Sequence, residues 1–456
     1  MKRNTIDFEN EKISVLFRKL LIPTLLGTIS ISAMTAIDGI LVGHGVGADG
    51  VAAVNLIVPI YQIMSGIGLM IGTGCSVMAS IHLSQQNVHA ARLNITQAII
   101  FTTIFACLIC AIVLAFPTHT AILLGSSETL LSQTSGYLLC IMPGFIFQMW
   151  SMIGLFIIRL DGSPHYAMWC NIIPATINGI LDWVFIFPLG MGVEGAAIAT
   201  SISLFLGGIM AIIYLLFVAG KLRLVPFEFS GKNILSALRN LCSQCKVGSS
   251  TLFGELTLAI LIFVGNLVFM SCLGDAGVGA FGIACYYTPF FFMVGNAIAQ
   301  SAQPIISYNY GISQWKEIKE ARRLLLTTSV SIGIVVALLF IFIPHKLVAL
   351  FVDTASEAGR IAIDGFPYFA SGTVFFIFNV AIIGYCQSIK QIKRATVFVF
   401  LRGFGFLIPS FIILPKLFGI EGIWLAMPFA EIMTTAIVMI VFLMQRRTYS
   451  ATNLSV

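Results

Sequence analysis

The segment VGADGVAA at residues 46–53 returns in altered form as LGDAGVGA at residues 273–280. A second segment, FPLGMGVEG at residues 187–195, returns as LPKLFGIEG at residues 414–422. Both pairs are separated by 227 residues. Two separate segments that share one offset indicate that the chain is an internal duplication of two similar copies.

The composition predicts the environment of these copies. Of the 456 residues, 58% are hydrophobic and 10% are charged, whereas charged residues make up roughly 25% of an ordinary soluble domain. The apolar stretches are long enough to cross a bilayer as helices, which satisfy their own backbone hydrogen bonds in lipid. We expect twelve such helices near residues 20–43, 51–80, 94–118, 137–158, 166–187, 193–219, 249–273, 278–306, 324–345, 366–388, 395–414 and 422–444.

The distribution of basic residues supports the count of twelve. If both termini are cytoplasmic, the termini and the even-numbered loops hold 21 of the 25 Lys and Arg residues. The odd-numbered loops hold Lys346, Arg360 and Lys416, and Arg402 lies within the eleventh span. This asymmetry is the positive-inside pattern of a multi-pass membrane protein. The net charge of +6 therefore reflects orientation in the membrane, and we expect no binding of nucleic acid.

The duplication and the spans together predict the domain organisation. Because six helices per copy is an even number, both copies begin on the same side of the membrane. We therefore expect an all-α integral membrane protein with two six-helix lobes, related by a pseudo-twofold axis along the membrane normal, and a central cavity between them. The expected parts are a cytoplasmic segment (1–13), an N-lobe (14–219), a cytoplasmic linker (220–240), a C-lobe (241–446) and a cytoplasmic tail (447–456).

Motifs for enzymatic chemistry are lacking from the sequence. The chain has no GxGxxG, P-loop or HExxH pattern. Most of its ten Cys residues fall within the spans, and Cys242 and Cys245 lack a second pair of ligands for zinc. We expect no enzymatic activity and no cofactor. A membrane-embedded enzyme is the alternative from a different class, but the six His residues are scattered, mostly at helix ends.

Polar side chains interrupt the apolar spans of the N-lobe at one depth. Asp38 lies five residues before the outer end of the first helix, which is about 8 Å at 1.5 Å per residue. Asn178 and Asp182 share a face of the fifth helix because they are spaced i, i+4, and Asp182 is about equally deep. Thr200 lies at a similar depth in the sixth helix. All four side chains offer oxygen ligands.

These carboxylates need a neutralising partner. No Lys or Arg lies in the first, fifth or sixth span, and two carboxylates close together in a bilayer cannot both stay charged without a cation. Oxygen ligands suit a hard cation such as Na⁺. We therefore predict a coupling-ion site for Na⁺ or H⁺ at Asp38, Asn178, Asp182 and Thr200. The alternative is that each Asp is protonated and bonds a neighbouring helix.

The second copy lacks this set of residues. At the offset of 227, Gly265 takes the position of Asp38, Gly405 that of Asn178, and Pro409 that of Asp182. A purely structural role would not be confined to one copy. The comparison therefore favours a functional role for the acidic residues of the N-lobe.

The chain resembles the multidrug and toxic compound extrusion (MATE) family along nearly its full length. The stretches that carry the resemblance are IDGILVGHGVGADGVAAVN, INGILDWVFIFPLGMGVEGAAIAT, and AIAQSAQPIISYNYG with the basic KEIKEARR after it. The resemblance implies twelve helices in two lobes and drug efflux by Na⁺ or H⁺ antiport across the cytoplasmic (inner) membrane of a prokaryote. In the DinF-like branch it also implies an N-lobe cation site, whose residues match Asp38, Asn178, Asp182 and Thr200.

The match to the NorM-like branch of this family is incomplete. That branch has a second-lobe site with a seventh-helix Glu and a tenth-helix Asp; Glu255 matches the Glu, but the tenth span contains no acid. Glu255 is a candidate charge site that attracts a cationic substrate, or else a protonated packing residue. Glu431 is a weaker candidate of the same kind.

Gln148 and Asn266 are polar residues within spans that could line the central cavity.

These features predict a secondary active transporter. We expect an antiporter that exports amphipathic, cationic small molecules by alternating access and functions as a monomer in the lipid bilayer. Ion binding from outside would neutralise Asp38 and Asp182 and change how the first helix packs on the fifth and sixth. A flippase of lipid-linked saccharides with the same duplicated fold is the alternative, although its phosphates would require basic residues in the cavity, and the spans contain almost none.

Overall fold

The computed structural model describes residues 6–46, 48–227 and 230–452, and every regular element in these ranges is helical. Two π-helical segments, Tyr214–Val218 and Leu401–Phe406, follow α7 and α13. The α-helices are α1 (Ile13–Gly45), α2 (Ala48–Ser84), α3 (Val88–Ala115), α4 (Pro117–Leu123), α5 (Leu131–Leu160), α6 (Pro164–Ile186), α7 (Gly192–Ile213), α8 (Gly231–Gly311), α9 (Trp315–Phe342), α10 (Pro344–Ala349), α11 (Glu357–Ala370), α12 (Thr373–Ser388), α13 (Ile392–Phe400) and α14 (Leu407–Thr452).

These helices account for the twelve predicted membrane spans. Ten described helices are long and apolar enough to cross a membrane, and the bent pair α11 and α12 adds an eleventh. One of the ten, Ile392–Met444, runs without a break through α13, the second π-helical segment and most of α14, and it has 53 residues. This is more than twice the length that a bilayer core of about 30 Å requires. Gly419 divides it into two spans. The described residues therefore contain twelve spans, and the predicted all-α membrane fold is confirmed.

The glycines that break the helices follow the duplication. Gly419 stands 227 residues after Gly192, and their φ angles are 62° and 59°. Gly274 divides α8 in the same way, with φ 62°. A positive φ is accessible to glycine but strained for residues with a Cβ atom. The counterpart of Gly274 in the first copy, Gly47, lies outside the described residues. The repeat found in the sequence thus reappears as matching backbone turns.

α8 begins at Gly231, earlier than the expected start of the seventh helix near residue 249. Residues 231–248 mix polar with apolar side chains, so a search for uninterrupted apolar runs does not detect them. This segment packs on α3, where Gln244 Nε2 donates to the main-chain and side-chain oxygens of Asn94 at 3.2 Å. The second part of the expected linker at 220–240 is therefore helical.

The described chain separates into two compact units. The first unit contains the residues up to Leu252, Gln300–Ala321 and Gln387–Lys390, and the second contains Phe253–Ala299, Arg322–Cys386 and the residues from Gln391 onward. Four of these boundaries fall inside α8 (twice), α9 and α12, and the boundary after Lys390 falls in a turn. The expected lobe boundaries and the twofold axis stay predictions.

Each unit has a buried core of its own. In the first unit, one cluster includes Ile153 and Leu215, and another includes Met142 and Phe145. The second unit is built on aromatic rings whose centroids lie 4.5–6.3 Å apart, namely those of Phe269, Phe281, Phe291, Phe340, Phe366 and Trp424. Such pairs contribute about 0.5–1.5 kcal/mol each beyond the burial of their area. The helices that carry polar side chains are therefore held in place by packed interiors.

Gly248 lies where α8 meets α2, and a Cβ atom at this position would overlap the main-chain carbonyl of Met70. We expect Gly248→Ala to lower the Tm of the protein purified in detergent, because overpacking costs about 1–3 kcal/mol and small residues set close contacts between membrane helices. The control is Gly282→Ala on the same helix, since a Cβ there would have no heavy atom within 4 Å. Equal Tm values for the two variants would contradict the close contact.

Candidate functional site

Asp38 and Asp182 lie against each other in the first unit. α1 packs along α6, and the two carboxyl groups come within hydrogen-bonding reach. Asp182 is fully buried, whereas Asp38 is half-buried. Asn178 is also fully buried, one turn before Asp182 on α6. Two acids that are far apart in the sequence therefore form a close pair.

Several oxygen atoms of this cluster lack hydrogen-bond donors. Among the described residues, none donates to Asp38 Oδ1 or to either carboxyl oxygen of Asp182. The side-chain oxygen of Asn178 is buried in the same way. Buried polar atoms without a partner are rare, since each costs about 1–3 kcal/mol. A proton or a bound cation between the carboxyl groups would supply the missing partner.

The hydroxyl groups of Thr200 and Tyr137 complete the cluster. Asn178 Nδ2 donates to Thr200 Oγ1 across a long distance of 3.5 Å. The Tyr137 hydroxyl is within hydrogen-bonding reach of Thr200 and near enough to Asp38 and Asp182 to interact with their charges. The sequence analysis missed Tyr137, because a tyrosine at the end of an apolar span resembles a packing residue. Tyr137 lies at the outer end of the predicted fourth span, at the same expected depth as the four predicted site residues. That depth is the signal that could have identified Tyr137.

This arrangement suits reversible binding of a proton or a hard cation. No Lys or Arg of the described chain forms an ion pair with Asp38 or Asp182. The described residues also contain no group of three or more His, Cys, Asp or Glu side chains that could hold a metal ion. Two carboxyl groups supplemented by amide and hydroxyl oxygens are the ligands that a hard cation such as Na⁺ prefers.

Glu431, the candidate in the twelfth predicted helix, is neutralised within the second unit. Arg402 Nε donates to Glu431 Oε1, and Asn379 Nδ2 donates to Glu431 Oε2 at 2.8 Å. The Arg402 guanidinium lies 3.9 Å from the ring centroid of Phe376. Arg402 and Glu431 are only 2% and 3% exposed. Glu431 thus has a permanent counter-ion, which the sequence did not reveal because the two residues are 29 positions apart.

The remaining candidates occupy different surroundings. Glu255 and Asn266 lie on α8 in the second unit, and both are half-buried. No described residue forms a hydrogen bond or ion pair with Glu255. Gln148 is buried in the first unit, where its Nε2 donates to Ser65 Oγ at 2.7 Å and links α5 to α2. A role of these three residues in substrate binding stays a prediction.

Comparison with known proteins identifies relatives along the whole chain. The MatE family model matches residues 23–184 and 251–410, two segments that begin 228 residues apart. "Multidrug export protein MepA" of Staphylococcus saprophyticus is 24% identical over 433 residues, which cover 93% of each chain. A solved multidrug resistance MATE family transporter of the MOP superfamily, in an outward-facing conformation, superposes with a TM-score of 0.89 at 20% identity over 99% of this chain and 98% of that one. A MOP superfamily transporter from Pyrococcus furiosus gives a TM-score of 0.87 at 19% identity, over 99% and 98% of the two chains. These likenesses show the fold.

The ion pair in the second unit leads to a stability prediction. Glu431→Gln leaves the buried Arg402 without its counter-ion, and breaking a buried pair in this way costs about 3–5 kcal/mol. We therefore expect a large fall in the Tm measured in detergent. Replacement of both residues, Arg402→Met with Glu431→Met, should restore part of the loss because no buried charge remains. Glu255→Gln is the matched control and should leave the Tm near that of the wild type. A similar fall in the Tm of Glu255→Gln would contradict this account.

Proposed function

Because this chain belongs to the MATE family, we propose that it is a secondary active exporter that moves drugs or toxins outward in exchange for Na⁺ or H⁺. The observation that carries the proposal is the contact between Asp38 and Asp182 without a basic partner. The substrates are amphipathic, cationic small molecules. Relatives named multidrug export proteins support the export of small molecules. The proposal also places the exporter as a monomer in the cytoplasmic membrane of a prokaryote.

The acidic pair acts through its change of charge. Without an ion, two adjacent carboxylates repel each other and are poorly solvated in apolar surroundings. Uptake of a proton or of Na⁺ removes the repulsion and allows α1 to pack closely on α6. α1 is the element suited to move, because a smaller share of its side chains is buried than in α5. Loading of the ion therefore favours one packing of α1, and release favours the other.

Coupling to the substrate follows from this change in packing. If the ion and the substrate prefer different states of α1, binding of one weakens binding of the other. A coupling free energy of about 1–3 kcal/mol, which corresponds to roughly 5–150-fold in affinity, is sufficient for exchange. Direct competition of a cationic substrate for the same carboxylates would produce exchange as well. In both cases Asp38 and Asp182 are the exchanging groups.

Among its described residues, the second unit contributes a fixed charge pair and one acid without a partner, Glu255, which has no second acid beside it. Glu431 is neutralised by Arg402, so its carboxylate needs no ion from solution. This contrast supports one coupling-ion site in each chain, in the N-lobe. It also disfavours the flippase alternative, because the phosphates of its substrate would need free basic side chains within the spans. Of the two arginines buried among the described residues, Arg402 is paired with Glu431 and Arg159 donates to Gln300.

The proposal is tested by transport in proteoliposomes with a cationic dye as substrate. We expect Asp38→Asn and Asp182→Asn to reduce ion-driven dye transport to the level of liposomes without protein, because an amide cannot exchange a proton or balance the charge of a cation. Their Tm values should stay near that of the wild type. Asp364→Asn, which changes an exposed carboxylate on α11, is the control and should transport normally. Wild-type rates in the two site variants would refute the proposal.

Separate gradients of Na⁺ and pH identify the coupling ion in the same assay.

Tyr137→Phe removes the hydroxyl group near Thr200, and we expect the concentration of the coupling ion at half-maximal rate to rise about tenfold, the effect of losing one hydrogen bond in a charged site. The maximal rate should change less, because both carboxylates remain. Tyr286→Phe, at a side chain that is 68% exposed, serves as the control. An unchanged ion dependence in Tyr137→Phe would exclude Tyr137 from the site.

A further inference from the structure

A cavity of about 520 Å³ opens in the first unit and shares no lining residue with the acidic pair. It lies between the end of α2, the start of α3 and the start of α8. No Asp or Glu is among its described lining residues, and Leu93 and Phe227 form an apolar wall. The polar part of the lining includes His82, His89, Gln97, Ser236 and Asn240.

A positive charge that has no counter-ion among the described residues lies near the lining residue His82. Lys390, in the turn after α12, is half-buried and interacts electrostatically with His82. No described Asp or Glu pairs with Lys390, and burial lowers the pKa of its ammonium group. Its φ of 55° is uncommon for a residue that carries a side chain. Among the described residues, the fold thus holds an ammonium group near the lining residue His82 with no Asp or Glu to balance it.

Two uncharged hydrogen-bond donors in the lining have no acceptor among the described residues. Asn240 Nδ2 donates to Gln97 Oε1 at 3.1 Å. This contact fixes the orientation of the Gln97 amide and leaves Gln97 Nε2 with no acceptor among the described residues. Gln97 is 5% exposed, and its side chain lines the cavity. The hydroxyl of Ser236 likewise has no described partner.

We propose that this cavity binds a phosphate group, carried by an anionic phospholipid or present as free phosphate. The lining side chains of His82, His89 and Gln97 supply the donors for charge-assisted hydrogen bonds. Lys390, which interacts electrostatically with His82, adds positive charge near the site. The turn between α2 and α3 is predicted to lie on the cytoplasmic side, where the headgroups of anionic lipids are found. The apolar wall would contact the glycerol and acyl part of a lipid. This inference is independent of the transport activity.

Binding is measured on the full-length protein in detergent. Native mass spectrometry compares phosphatidylglycerol with diacylglycerol, which lacks the phosphate, and thermal shift measures the effect of inorganic phosphate. We expect the double variant His82→Ala with Lys390→Gln to bind the phosphate-bearing probe at least about tenfold more weakly, since hydrogen bonds to charged groups contribute that much or more. His165→Ala with Lys319→Gln removes the same side-chain types from exposed positions outside the cavity and should bind like the wild type.

The two sources of phosphate give different results. Preference for phosphatidylglycerol over diacylglycerol identifies a lipid headgroup, whereas an increase in Tm with inorganic phosphate alone identifies free phosphate. Ser236→Glu places a negative charge in the cavity from an exposed position, and we expect it to weaken binding without affecting folding. If the wild type responds to neither probe, or if the cavity variants bind like the control variant, the proposal is wrong.

Discussion

The contact between the carboxyl groups of Asp38 and Asp182, which form no ion pair with a basic side chain among the described residues, is the constraint on which the rest of the molecule depends. A carboxylate without compensation in apolar surroundings costs several kcal/mol. Asp38 and Asp182 must therefore share a proton or a cation, or else move apart. In the second unit, the carboxylate of Glu431 is neutralised by the guanidinium of Arg402. In the proposed mechanism, the pair of Asp38 and Asp182 exchanges its neutralising ion with the solution, whereas the pair of Arg402 and Glu431 does not.

The duplicated scaffold explains how such a difference can arise without a change of fold. The matching glycines Gly192 and Gly419 keep the same backbone turn in both copies. At the position equivalent to Asp38, however, the second copy has Gly265, where a Cβ atom would overlap the ring of Phe281. Phe281 stacks on Phe269 with a centroid distance of 4.5 Å. Aromatic packing thus surrounds the residue of the second copy that matches Asp38 in the sequence.

The sequence predicted the parts of the structure that depend on composition and local spacing. The twelve spans follow from apolar length, and the grouping of Asp38 with Asp182 follows from their common depth. The helical start of α8 was missed, because residues 231–248 are amphipathic and not uniformly apolar. Tyr137 and the pairing of Arg402 with Glu431 were missed because they depend on which helices are neighbours. Which helices are neighbours is decided by tertiary packing, and the periodicity of a single sequence does not reveal it.

The boundaries between the two units have a mechanical consequence. Four of the five lie inside α8, α9 and α12, where the backbone hydrogen bonds continue across the boundary. A loop would bend easily, whereas a continuous helix is stiff because its backbone hydrogen bonds resist bending. Any displacement of one unit against the other must curve several such helices at once. These continuous helices would therefore resist such a displacement more strongly than loops would.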